Sequence, residues 1–160
     1  MRKRKTKTKT KTTTNFTKNN NKTRKTSTRK TNSIQKNEQY IVVTFLRMLN
    51  TVKLYHWKTS SFAKHKATDE LYASLNTNID RFVEEMLGKK GNRLDFSKVK
   101  SIPINELSSD KQAIKEFQKF KNFLVTIDDK LPNMSNTDLL NIRDEILGSI
   151  NQFLYLATFT

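Results

Sequence analysis

Residues 54–91 read LYHWKTSSFAKHKATDELYASLNTNIDRFVEEMLGKKG. The two histidines of the chain, His56 and His65, both fall here. Asp69 follows His65 at i, i+4, and Asp80 and Glu84 repeat that spacing further on. Residues four apart share a helix face, so each pair can chelate an ion or hydrogen-bond internally. TSS offers helix-cap hydroxyls, with a helix expected from about Ser61. Leu71, Tyr72, Leu75, Ile79, Phe82, Val83, Met86 and Leu87, after Phe62, give it an apolar stripe, and Gly88 and Gly91 suit its C-terminal stop.

On either side the same period recurs. Ile41, Val42, Phe45, Leu46, Leu49, Val52 and Leu54 predict a first helix over about 37–57. Residues 92–107, with Pro103, read as a long connection with room for a short helix. Ser108 or Ser109 caps a third helix to about Leu131, striped by Ala113, Ile114, Phe117, Phe120, Phe123, Leu124 and Ile127. LPNMSN is a turn, and Thr137 with Asp138 opens a fourth helix to about Ala157. No alternating strand pattern stands out. Two short connections and one long one describe an all-α, ferritin-like four-helix bundle over 37–160, with a crossover between helices 2 and 3.

Charge divides the chain. Residues 1–36 hold 14 Lys and Arg and no acid, whereas the whole chain carries a net +16, leaving +2 for the rest. After Met1, Phe16 is the one large apolar residue of MRKRKTKTKTKTTTNFTKNNNKTRKTSTRKTN. Such a segment cannot bury enough surface to offset its ordering entropy, so a disordered arm over 1–36 is expected. Its cations, Arg2, Lys3, Arg4, Lys5, Lys7, Lys9, Lys11, Lys18, Lys22, Arg24, Lys25, Arg29 and Lys30, suit DNA phosphates without sequence preference. A solubilising tail or a localisation signal at Arg2–Lys5 is the plainer reading. The arm has no apolar face to insert into a membrane, and no apolar run nears the roughly 20 residues that cross a bilayer. The absence of cysteine excludes disulfides and thiolate metal sites. An intracellular, nucleic-acid-associated protein is expected, in cytoplasm or nucleoid, with nucleus or virion as alternatives.

Two imidazoles and three carboxylates make a borderline-hard ligand set, suited to iron, with manganese or zinc as alternatives. Asp69 and Asp80 lie 11 residues apart, about 16 Å along a helix, so both pairs cannot hold one ion within one chain. Either there are two sites, or a second copy crosses antiparallel at a two-fold axis and a dimer owns two identical sites. The plainer alternative is a solvated polar face.

His56-Trp57, then H-x3-D at 65–69, then D-x3-E at 80–84 before a glycine-containing turn, resembles the ferroxidase signature of the Dps proteins, or miniferritins. The resemblance is strong over 54–91 and architectural over helices 3 and 4; the arm is similar to the basic DNA-binding tails of some members. It implies that His56, His65 and Asp69 of one subunit join Asp80 and Glu84 of a two-fold partner. Together they would bind Fe(II) and pass its electrons to hydrogen peroxide or oxygen, protecting DNA, with Trp57 beside the site trapping stray radicals. It also implies a hollow dodecamer that stores ferric mineral. The Glu-x-x-His motif of ordinary ferritins is missing, since Lys53 and Phe62 precede the histidines by three. Two features depart from the miniferritin pattern. His56 and His65 are 9 residues apart, three fewer than usual, and Glu85 stands where the family often has Arg. The alternatives are a histone-like DNA-packaging protein with a vestigial site, and a protein that holds zinc or manganese structurally.

Overall fold

The computed structural model describes residues 20–91, 93–131 and 135–159, with side-chain surroundings from residue 35 onward. Among the described residues, four α-helices and a 3-10 turn follow in order: α1 (Asn20–Lys58), α2 (Phe62–Lys90), α3 (Asp110–Val125), the 3-10 turn (Ile127–Lys130) and α4 (Thr137–Leu156). Among the described residues there is no strand, and no helix is long and apolar enough to cross a membrane. The chain divides into two units, Met1–Asn32 and Ser33–Thr160, and the packing below concerns the second.

Helix ends carry the expected chemistry. The Ser61 hydroxyl accepts from the Lys64 N–H at the start of α2. Gly91, at φ 68°, closes α2 by donating its N–H to the Leu87 carbonyl. That left-handed backbone suits a residue without Cβ. Ser109 likewise accepts from the Gln112 N–H at the start of α3.

Contacts along the helices fix their directions. Lys89 near the end of α2 pairs with Asp138 at the start of α4, and Ser74 bonds Ser149. These helices are therefore antiparallel. Arg143 donates to the Leu124 carbonyl, placing the beginning of α4 by the end of α3. Asp110, which opens α3, meets Lys64 near the start of α2 and Tyr55 near the end of α1. Helices α2 and α3 consequently begin at the same end, and residues 91–109 travel the length of the core between them. The order of directions is up, down, down, up.

In α1 the buried apolar residues are Ile41, Val42, Phe45, Met48, Val52 and Tyr55. The spacing of 41, 45, 48, 52 and 55 is a coiled-coil seam, and α2 answers with Leu71, Leu75, Ile79, Phe82 and Met86. Phe45 meets Phe82 and Phe123 edge-on at 5.1 and 5.8 Å, the geometry ring quadrupoles favour. Tyr55, Phe117 and Phe153 form a second aromatic knot. Two acids are buried beside the core. Glu38 pairs with Lys90, and Glu116 accepts from Arg47, Lys119 and Asn105.

Several expectations need correction. Helix α1 begins at Asn20, not near residue 37, so residues 20–36 have helical backbone; residues 1–19 lie outside the described residues. Nothing between 20 and 58 breaks a helix, because Gly and Pro are absent, and extending an existing helix avoids the nucleation cost. The apolar periodicity did not mark where the helix starts. Helix α3 stops at Val125, since the Thr126 N–H and hydroxyl both turn back to the Asn122 and Phe123 carbonyls and tighten the chain into the 3-10 turn. No helix forms between 93 and 109. Phe62 and Leu46 lie on the outside, the former 76 % exposed.

Phe45→Ala should cost about 3–5 kcal/mol in urea unfolding, whereas Val125→Ala, at an exposed position, should stay within about 0.5 kcal/mol. A pH series on Glu116 gives a second check. Burial alone would raise its carboxyl, but Lys119, Arg47 and Asn105 outweigh burial and hold it below the ordinary glutamate range. The stability it contributes is thus present at neutral pH and lost as pH falls through its lowered folded value. Glu116→Gln should be less stable near neutrality and show a flatter acid limb.

Candidate metal centre

Helix α1 ends at Lys58 and α2 begins at Phe62, leaving residues 59–61 to reverse the chain. So short a turn sets the last turn of α1 directly beside the first turn of α2. His56 and His65 meet there. Their rings stack with centroids 3.8 Å apart and planes at 25°.

Each ring is tied to the other's main chain. His56 Nδ1 lies 3.1 Å from the His65 carbonyl oxygen, and His65 Nδ1 lies 3.0 Å from the His56 carbonyl oxygen. A carbonyl only accepts, so Nδ1 carries the hydrogen in both rings. In the neutral imidazole the lone pair then resides on Nε2. His56 Nδ1 also reaches Thr68 Oγ1 at 3.1 Å and Asp69 Oδ1 at 3.4 Å. The Thr68 hydroxyl donates to the Lys64 or His65 carbonyl, leaving its oxygen as an acceptor towards His56. His56 is buried, His65 half-buried and Asp69 exposed. One potential ligand atom from each of the three lies within 4.8 Å of the other two.

Two imidazoles and a carboxylate are donor types that a divalent transition metal takes. Ligating histidines characteristically donate their second nitrogen to a carbonyl or carboxylate, which fixes tautomer and ring orientation. Both rings here are held in that manner, and Asp69 adds a hard oxygen. Three protein donors would leave coordination positions for others.

Asp80 and Glu84 are not brought to this cluster. Both are exposed on α2, and Asp80 lies three turns beyond Asp69. The exposed positions 62, 66, 69, 73, 76, 80, 84 and 88 form one continuous outer stripe of α2. Glu85 lies 3.8 Å from Arg81, which also pairs with Glu145 at 2.8 Å. Trp57, 67 % exposed, flanks His56, and the Lys53 ammonium lies 5.8 Å from its ring and 5.0 Å from that of Tyr72. Of the cations assigned to the arm, Arg2, Lys3, Arg4, Lys5, Lys7, Lys9, Lys11 and Lys18 lie outside the described residues. Lys22, Arg24, Lys25, Arg29 and Lys30 lie on the helical backbone of α1.

Thr68 was not singled out from sequence, and Lys53 and Tyr72 were read there without a role at the site. Thr68 had a detectable signal: it occupies a position of α2 in register with Leu71 and Leu75, where a fully buried hydroxyl needs a partner.

Residues 56–156, more than half of the chain, match the profile of DUF5856, a family of unknown function. The chain belongs to that family. The DUF5856 match starts at His56 and takes in His65, Asp69, Asp80 and Glu84, while the basic segment lies outside it. No curated protein and no solved structure matches the chain.

In metal-free protein at a pH where the rings are neutral, long-range proton–nitrogen spectra should find both histidines as the Nδ1–H tautomer. Free histidine in water prefers the other tautomer, so an Nε2–H result would contradict the reciprocal bonding.

Proposed function

We propose that this protein is a ferroxidase of miniferritin type on a ferritin-like four-helix bundle. It would bind Fe(II) as substrate and oxidise it close to DNA. The observation that carries the reading is the His56–His65–Asp69 cluster, with both Nδ1 atoms committed to carbonyls and a carboxylate alongside. The up, down, down, up order of helices with one long crossover adds support, since ferritin-like bundles have one such connection.

In this reading His56, His65 and Asp69 form half of a site. Asp80 and Glu84 of a second copy complete it across a two-fold axis. If the α2 stripes of two chains cross antiparallel about the midpoint between Ser74 and Leu75, residue 69 of one meets residue 80 of the other, and 65 meets 84. Ala73, Asn76 and Thr77 near that midpoint are small enough to allow close approach. A two-fold contact repeats itself, so each dimer owns two sites; a dodecamer would be built from such dimers. Each peroxide accepts one electron from each of two Fe(II) ions and takes up two protons, leaving as two waters. The basic segment would hold DNA by counterion release without sequence preference, and multiple arms on one assembly would raise avidity. Manganese or zinc held structurally, or DNA packaging with a vestigial site, would leave the five ligands without this redox role.

Two experiments test the halves of the proposal. Asp80→Ala and His65→Ala chains, each inactive alone, should on mixing recover about a quarter of the wild-type sites, one of the two in each mixed dimer. No recovery despite demonstrated subunit exchange would place the site within one chain. Chains beginning at Asn37 should lose the DNA gel shift of the full chain, and retained affinity would remove the DNA role from residues 1–36.

A further inference from the structure

Asp110 opens α3, yet its carboxylate is spent on the other two helices at the histidine end. The Tyr55 hydroxyl donates to its Oδ1 at 2.7 Å, and the Lys64 ammonium donates to its Oδ2 at 2.5 Å. Tyr55 immediately precedes His56, and Lys64 immediately precedes His65. One carboxylate thus ties the last turn of α1 to the first turn of α2 at the residues adjoining both imidazoles. Tyr55 is nearly inaccessible and Lys64 mostly covered, so neither partner is a loose surface contact. The two charge-assisted bonds use different oxygens and hold the clamp at two points.

The reciprocal histidine bonds depend on the register between those two helix turns. They are 3.0 and 3.1 Å long, and a slide of about 1 Å would take them outside hydrogen-bond range. The three-residue turn limits that slide from one side only. Asp110 limits it from a third helix, which arrives only after the long connection over 91–109.

We infer that Asp110 is a positioning residue for the histidine pair: through Tyr55 and Lys64 it locks α1 against α2 so that both rings keep Nδ1 on the opposite carbonyl. It touches neither ring. Its consequence for metal affinity rests on the metal reading above, whereas its consequence for the rings does not.

The test is made on the full chain. In metal-free wild-type protein, nitrogen spectra report both rings as Nδ1–H. Asp110→Asn keeps the shape of the side chain but loses the charge that Lys64 meets. It should convert both rings to a tautomer mixture in which Nε2–H predominates. Lys64→Met, which removes one leg of the clamp and keeps the aliphatic stem, should shift the same signals in the same direction, and serves if Asp110→Asn does not fold. Glu116→Gln is the control, because it destabilises the fold elsewhere and should leave both tautomers unchanged. Unchanged tautomers in folded Asp110→Asn or Lys64→Met would overturn the inference, whether or not the protein binds metal. A second arm uses cobalt(II) alone as probe. Loss of an outer-shell support characteristically costs about tenfold to a hundredfold in metal affinity, and Asp110→Asn should show that loss with altered cobalt absorption bands. Cobalt that fails to bind wild-type protein while the tautomers behave as expected would sink the metal reading and leave the positioning role standing.

Discussion

The reciprocal bonding of His56 and His65, each Nδ1–H on the other's main-chain carbonyl, is the constraint around which this end of the molecule is arranged. It needs two helix turns side by side in one register. The short turn at 59–61 supplies proximity, and the Ser61 cap fixes where α2 begins. Next to His56 in the chain, Tyr55 ends the seam of α1 and packs in the aromatic knot with Phe117 and Phe153. The core therefore reaches to within one residue of the site, and a centre that must hold two rings in a fixed tautomer sits on rigid elements.

This arrangement also accounts for the nine-residue spacing between the histidines. The short turn at 59–61 brings the rings into contact with each other. The stacking at 3.8 Å and the burial of His56 beside Thr68 follow from that closeness. Charge around the pair is distributed unevenly. Asp69 and Glu70 point outward along α2, while Lys53 is drawn over Trp57 and Tyr72. Cation–π contact of this kind keeps the Lys53 ammonium over the two aromatic rings.

The helices were legible because their apolar residues recur at helical spacing and Gly and Pro are nearly absent from helix interiors, Gly148 of α4 being the exception. The stripe Leu71, Leu75, Ile79, Phe82 and Met86 of α2 could be read directly. Leu46 and Phe62 were misassigned to the inside because amphipathic periodicity fixes a face only to within about one residue in four. Met48 and Tyr55, which fill the seam, were passed over for the same reason. In the site, His65 and Asp69 could be paired from i, i+4 spacing, and His56 joined them by proximity in sequence. Asp110 could not be found that way, since it lies 41 residues beyond Asp69 and reaches the site only through the fold. The helical backbone of 20–36 was equally hidden, because composition speaks to burial and that segment has little to bury.

Whether the histidine centre exists to oxidise iron is settled most directly by anaerobic Fe(II) titration of the full chain, followed by hydrogen peroxide while ferric absorbance is recorded, with His65→Ala alongside. Saturable binding of about one or two Fe(II) per chain and oxidation much faster than in buffer, both lost in the variant, are the results expected of a di-iron carboxylate-type site. Oxidation no faster than buffer, or equal in His65→Ala, would contradict it.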